Sequence, residues 1–134
     1  MKSYKTILGL QKSIDKAKKS GHKIAFIPTM GALHSGHLSL VKVAQNYADT
    51  VIVSIFVNPS QFNNLEDLKK YPKTLSADKQ MLQSIRCDLL FVPEVNEIYP
   101  KQWHSELNID LEDKDKVMEG EFRPGHFKGM LEVV

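Results

Sequence analysis

Three short apolar runs, separated by segments with helical periodicity, constrain the fold of this chain more than any other feature. Ile24-Ala25-Phe26-Ile27, Val51 to Val57 (VIVSIFV) and Leu89-Leu90-Phe91-Val92 are apolar at consecutive positions. That pattern marks strands buried on both faces. Around them, apolar residues recur at helical spacing: Ile7, Leu10, Ile14 and Ala17, then Leu38, Val41, Ala44 and Ala48, then Ala77, Met81 and Ile85. Gly21 stands where the first helix should stop, and Thr74 or Ser76 where the third should be capped. Asn58-Pro59 and Pro93 close the second and third strands, and Pro28 to Gly36 reads as a loop. Strands alternating with helices over short connections require right-handed crossovers and a parallel sheet. The expectation is an α/β chain: a Rossmann-like parallel sheet with flanking helices.

Composition narrows the class. At 42% hydrophobic over 134 residues, the chain can build one core and is too short for two ordinary domains. Charged residues make up 25%, which fits a folded soluble protein. No apolar run approaches the roughly 18 residues of a membrane span, and the N-terminal MKSYKTILGLQKS lacks the apolar centre of a secretory signal. Cys87 is the single cysteine, which excludes an internal disulfide framework and fits a reducing compartment, so a cytoplasmic location is expected. The net charge of +2 hides an asymmetry. Residues 1–23 carry seven Lys against Asp15, whereas residues 94–121 carry nine acids against Lys101, Lys114 and Lys116. The lysines spread around a helix and Arg is limited to Arg86 and Arg123, so a solvated helix face accounts for them better than a nucleic-acid surface. Neither nucleic acid nor a membrane is expected as a partner.

The segment from Gly125 to Val134 opens a new apolar stretch (Phe127, Met130, Leu131, Val133, Val134) without a cap or polar tail. Three clear strands are also few for a doubly wound sheet. Residues 1–134 are therefore expected to be one N-terminal domain, incomplete without a further C-terminal part.

The chemistry concentrates in Pro28-Thr29-Met30-Gly31-Ala32-Leu33-His34-Ser35-Gly36-His37. This stretch follows the first apolar strand and opens the next helix, where an open α/β sheet places its ligand crevice. A helix N-terminus there offers unpaired N–H groups and a positive dipole end to a phosphate. Gly31 permits the turn, and Gly36 leaves room for close approach to the backbone. His34 and His37 lie three apart and can face one phosphate chain, where a protonated ring would offset developing charge. Two other readings stand beside this one: a metal pair lacking an evident third ligand, and two surface histidines without a role. Cys87 reads as a small buried hydrophobe, because no partner for a catalytic thiol is visible.

PTMGALHSGHLSL, FVNPSQF (Phe56 to Phe62), Tyr71-Pro72 and Arg123-Pro124-Gly125-His126-Phe127 occur in order through nearly the whole chain. Together they closely resemble the pantoate–β-alanine ligase (pantothenate synthetase) family. The H-x-G-H element alone is shared with the wider nucleotidylyltransferase superfamily; the other elements are far more specific. The resemblance implies a ligase of pantothenate and coenzyme A biosynthesis. Pantoate carboxylate attacks the α-phosphorus of ATP to give pantoyl adenylate and pyrophosphate, and the β-alanine amine then displaces AMP. It implies that Met30, Gly31, Ala32, Leu33, His34, Ser35, Gly36 and His37 bind ATP, with His34 and His37 against the phosphates and His37 as the acid. Gln61 corresponds to the glutamine that hydrogen-bonds pantoate near the arriving β-alanine; a loop-capping amide is its alternative. Pro28, Met30 and Phe62 would wall the pantoate body, or simply pack in the core. Arg123 and His126 would stand near the active-site entrance, with a salt bridge into the acidic 110–121 region as the alternative for Arg123. Mg²⁺ would accompany the ATP phosphates, and family members are typically homodimers.

The chain also departs from the family pattern. Asn63-Asn64-Leu65-Glu66-Asp67 stands where Gly-Pro-Asn-Glu-Asp is usual, and Lys73 stands where Arg is common. Ala77 precedes Asp78 where some members place consecutive metal-binding acids, so no metal ligand is assigned. Family members are longer, and their further part supplies a second ATP segment and another pantoate-binding Gln. The 134 residues are thus expected to hold half of an active site and to be inactive alone. The alternatives are another H-x-G-H nucleotidylyltransferase or a catalytically incomplete nucleotide-binding fragment.

Overall fold

The computed structural model describes residues 1–62 and 64–100. Among these residues, four parallel strands form one sheet in the order β1-β4-β3-β2: β1 (Lys2–Tyr4), β2 (Ile24–Thr29), β3 (Thr50–Ile55) and β4 (Leu89–Phe91). The helices are α1 (Ile7–Lys19), α2 (Ser35–Tyr47), α3 (Leu65–Lys70), α4 (Leu75–Ser84) and α5 (Val95–Ile98), with a 3-10 turn over Pro59–Gln61. The three periodic segments are helices and the three apolar runs lie in strands, with β3 ending at Ile55 and β4 at Phe91. β2 is not sealed on both faces, since Phe26 is 44% exposed and Ile27 alone in the strand is buried.

The central strand β3 is buried at every position. Its alternation divides the core between the two faces of the sheet. Val51, Val53 and Ile55 pack with Val41 of α2, Leu82 of α4, Cys87 and Leu90, while Ile52 packs on the opposite face with Leu10 of α1, Leu89 and Phe91. Helices cover both faces, the arrangement that consecutive apolar positions demand. Ile52, Leu82 and Leu90 are essentially sealed from solvent, and truncating one such side chain to Ala costs about 2–5 kcal/mol.

Besides the short α5, three elements depart from the sequence expectation. β1 is an additional strand, aligned on β4 by Lys2 opposite Leu89, Ser3 opposite Leu90 and Tyr4 opposite Phe91. β2 runs through Pro28 to Thr29, so the loop begins later than expected. The Thr29 carbonyl accepts Phe56 N–H at 3.0 Å on the β3 side. Successive residues alternate their hydrogen-bonding direction in a parallel strand, so the nitrogen of Pro28 faces away from β3 and the missing N–H costs no bond to it. The third departure is α3, capped by the Asn64 side chain, which accepts Glu66 N–H at 2.8 Å.

Helix ends follow the sequence signals closely at α1. Thr6 accepts Gly9 N–H, and at the other end His22 N–H reaches Ala17 O while Gly21 N–H reaches Lys18 O. That bond pair terminates the helix at Gly21. At α4 the N-cap is Thr74, but its hydroxyl makes no cap bond and turns instead to Asp78. The loops after β2, β3 and β4 all leave the C-terminal edge of the sheet, and this edge carries the site.

Candidate functional site

The turn from β2 into α2 is held from within. Gly31 and Ala32 have φ of 82° and 51°, so two successive residues are left-handed. A side chain at Gly31 would be strained by φ alone, and its Cβ would also come within 3.0 Å of Ile55 Cγ2 and 3.1 Å of Asp78 Oδ2. Thr29 ties the start of the turn: its hydroxyl donates to Ser54 O at 2.8 Å and accepts Gly31 N–H at 3.2 Å. Asp78 ties its end. Oδ2 accepts Ala32 N–H at 3.0 Å and Oδ1 accepts Leu33 N–H at 2.9 Å. The Thr74 hydroxyl reaches both oxygens at 3.2 Å.

His34 is the N-cap of α2 and His37 its third residue. His34 Nδ1 accepts Gly36 N–H at 3.1 Å, and His37 Nδ1 accepts His34 N–H at 3.2 Å. The two imidazoles therefore cap the helix in the reciprocal manner of a capping box, with ring centroids 4.1 Å apart and planes at 50°. A ring nitrogen that accepts an N–H carries no proton, so each neutral ring holds its proton on Nε2. Gly36 is needed for this geometry. A Cβ there would lie 2.8 Å from His34 Cε1 and 3.0 Å from its Nδ1, so the space beside the backbone belongs to the His34 ring. Burial lowers the His37 pKa from 6.5, the positive charge of His34 lowers it further, and Asp78 opposes both. His37 thus stands as a neutral donor at neutral pH rather than as a standing cation.

The loop after β3 is built around Asn58, which is wholly buried. Its Oδ1 accepts Ser60 N–H at 3.1 Å and the Ser60 hydroxyl at 2.8 Å. The turn this creates brings Gln61 to 6% exposure at the 3-10 terminus. Phe62 is half-buried and meets the Tyr71 ring edge-on, with centroids 5.8 Å apart. A cavity of about 510 Å³ opens between the C-terminal strand edge and α4; Met30, Gly31, Phe56, Lys73, Asp78 and Glu94 line it with their neighbours. Neither histidine lines this cavity, nor do Gln61 or Phe62. Pro28 is exposed on β2, and Met30 is half-buried at the cavity. Arg123 and His126 lie outside the described residues. Cys87 is buried, and burial pushes its thiol up, away from reactivity.

The structure therefore brings His34 and His37 together and assigns the N–H groups of Ala32 and Leu33 to Asp78. Sequence reasoning weighed Asp78 only as a metal ligand and missed Thr29 and Asn58 as the residues that shape the two loops. Both follow a common pattern, a short polar side chain just beyond an apolar strand and beside a turn. Among the described residues, no group of three or more His, Cys, Asp or Glu side chains could hold a metal ion.

The sequence profile described as "Pantoate-beta-alanine ligase" matches residues 2–134. A pantothenate synthetase of Buchnera aphidicola is 47% identical over 130 residues, covering 97% of this chain and 46% of its own length. A pantoate–β-alanine ligase of Schizosaccharomyces pombe is 45% identical over 134 residues, covering 100% of this chain and 47% of its own. The chain spans about half the length of the curated relatives it matches. Among solved structures, a pantoate–β-alanine ligase from Francisella tularensis, complexed with beta-gamma ATP and β-alanine, superimposes with a TM-score of 0.87 at 46% identity. That match covers 99% of this chain and 50% of the other. A pantothenate synthetase from Thermus thermophilus gives a TM-score of 0.88 at 38% identity, covering 99% and 46%.

Proposed function

The chain belongs to the pantoate–β-alanine ligase family, and on that premise we propose that it forms the nucleotide- and pantoate-binding part of a ligase that condenses pantoate with β-alanine. Pantoate carboxylate attacks the α-phosphorus of ATP, pyrophosphate leaves, and the β-alanine amine then displaces AMP from pantoyl adenylate. The observation that carries this reading is the pair of imidazoles whose Nδ1 atoms are both committed to backbone N–H groups. Two Nε2–H donors remain for phosphate oxygens at the N-terminal end of α2, where the helix dipole favours negative charge. Charge grows on those oxygens as the phosphorus is attacked, so preorganised donors lower the barrier. His37, with its depressed pKa, serves as a neutral hydrogen-bond donor through Nε2–H in this scheme and keeps its proton as pyrophosphate leaves.

Gln61, Met30, Pro28 and Phe62 are proposed to hold pantoate. A buried amide can orient a hydroxyl or carboxylate without competing as a nucleophile, which together with the family resemblance supports that role for Gln61. Mg²⁺ arrives with the ATP phosphates. Asp78 does not suit a metal, because both of its oxygens already accept backbone N–H groups. A homodimer is the assembly the family resemblance supports. A cytoplasmic location is supported by the lone buried thiol of Cys87. No helix among the described residues is long and apolar enough to cross a membrane.

The test is product analysis on the protein that carries this sequence. Pyrophosphate release from ATP is expected only with pantoate present, and AMP release only after β-alanine is added. Pyrophosphate release indifferent to pantoate would overturn the ligase reading in favour of another nucleotidylyltransfer reaction.

A further inference from the structure

We propose that Asp78 is the positioning residue of the phosphate site, an internal acceptor that holds the β2–α2 turn in its binding conformation. The proposal rests on the reading of this turn as an ATP site. Successive left-handed residues aim adjacent N–H groups toward one point, the geometry of an anion-binding concavity. Here that point is occupied: Gly31 and Ala32 are left-handed, and the N–H groups of Ala32 and Leu33 end on the two oxygens of Asp78. The carboxylate is 2% exposed and approaches over Gly31, where a Cβ would lie 3.1 Å from Oδ2. Thr74, the N-cap residue of α4, holds it through its hydroxyl.

Two consequences follow. The nucleotide does not obtain the Ala32 and Leu33 N–H groups, so its phosphates meet the imidazole Nε2 atoms and the first turn of α2 instead. The second concerns sign. A carboxylate close to a polyphosphate repels it, so if Asp78 acted through charge alone its removal would tighten ATP binding. As a positioning residue it does the opposite: its loss releases the turn that sets His34, and binding weakens despite the missing repulsion.

Asp78→Asn keeps the side-chain volume and one acceptor but presents an NH₂ group to the second backbone donor. Calorimetric titration with ATP separates affinity from the fraction of competent protein, since misfolded chains lower the stoichiometry and leave Kd unchanged. We expect Kd for ATP to rise at least tenfold in D78N and by a smaller factor in Thr74→Val, which removes only the supporting hydroxyl. Amide hydrogen exchange should accelerate at least tenfold at Ala32 and Leu33 while Val51, Ile52 and Val53 of β3 keep their protection. Tighter ATP binding, an unchanged Kd, or exchange accelerated equally in β3 would each overturn the proposal. If the unaltered protein fails to bind ATP, the functional reading falls on its own, and the amide arm still decides whether Asp78 holds the turn.

Discussion

The Nδ1 atom of His37 accepts the backbone N–H of His34 at 3.2 Å, which leaves the far nitrogen of the ring as the proton-bearing end. His34 repeats the arrangement on Gly36. The N-terminal turn of α2 thus uses its two imidazoles twice, as helix caps through Nδ1 and as outward donors through Nε2. Protonating either ring at Nδ1 would break a cap bond, which gives the depressed His37 pKa a geometric counterpart.

The first prediction concerns that proton. Burial first, then the His34 charge, lower the His37 pKa in the fold from 6.5, with Asp78 opposing. The unfolded chain then binds this proton more readily than the folded one, so stability rises with pH across the window. The contribution is complete above about pH 6.5 and is lost as pH falls through the lower folded-state value. Imidazole nitrogen spectra should show His37 as the Nε2–H tautomer at pH 7, with a titration midpoint below 6.5. A midpoint above 6.5 would contradict the geometry.

His37→Ala separates chemistry from capping. The substitution removes one transition-state donor, and pantoate-dependent pyrophosphate release should fall about 10²-fold or more. It also removes one cap bond, worth about 1 kcal/mol, so the melting temperature should drop modestly and the fold persist. A normal rate in a folded H37A protein would make this ring a cap and nothing more.

Gly31→Ala should be among the more damaging single-methyl additions in the described chain. The new side chain would adopt φ of 82°, and its Cβ would meet Ile55 Cγ2 at 3.0 Å, a packed core atom. The left-handed backbone alone costs on the order of 1–2 kcal/mol, and displacing the Asp78 carboxylate adds to it. Urea unfolding of the variant should show a loss of roughly 2–4 kcal/mol with an unchanged slope. A loss under about 1 kcal/mol would mean the turn relaxes freely.

Much of the architecture was legible because apolar periodicity is local. VIVSIFV could only be a strand sealed on both sides, and Leu38, Val41, Ala44 and Ala48 could only be one helix face. β1 was not legible, since Lys-Ser-Tyr has no apolar run and becomes a strand only by pairing with β4, nearly ninety positions away. The same distinction divides the site. The histidines were found because H-x-G-H is compact and opens a helix, whereas the Asp78 clamp joins α4 to a turn 45 positions earlier. No spacing rule reaches that far. The N–H groups of Ala32 and Leu33 show the limit: the sequence displays donors but not the internal acceptor that holds them.

Asn58→Ala tests the second loop. Asn58 is fully buried, and its Oδ1 accepts both the N–H and the hydroxyl of Ser60. Truncation removes both bonds, each worth about 0.5–1.5 kcal/mol net, while the hydroxyl of exposed Ser60 keeps Tyr99 Oη at 3.1 Å. The expected result is a clear drop in melting temperature together with weaker use of pantoate, because the turn that presents Gln61 loosens. Intact stability would show that Pro59 alone sets the turn.

Gln61→Ala distinguishes the two roles open to this amide. Gln61 closes the 3-10 turn at 6% exposure, and its own N–H reaches Asn58 O at 3.1 Å through the backbone, a bond that survives the substitution. The turn therefore keeps its backbone tie while the side-chain amide disappears. If that amide binds pantoate, the KM for pantoate should rise about tenfold or more, the worth of one hydrogen bond to a charged group at roughly 1.4 kcal/mol. ATP affinity should stay within about twofold, since the imidazole pair and the Asp78 clamp lie on other elements. Initial-rate kinetics with each substrate varied in turn, beside calorimetric titration with ATP, separate the two cases. A lowered melting temperature with an unchanged pantoate KM would leave Gln61 as a structural amide and move pantoate recognition to other residues of the site.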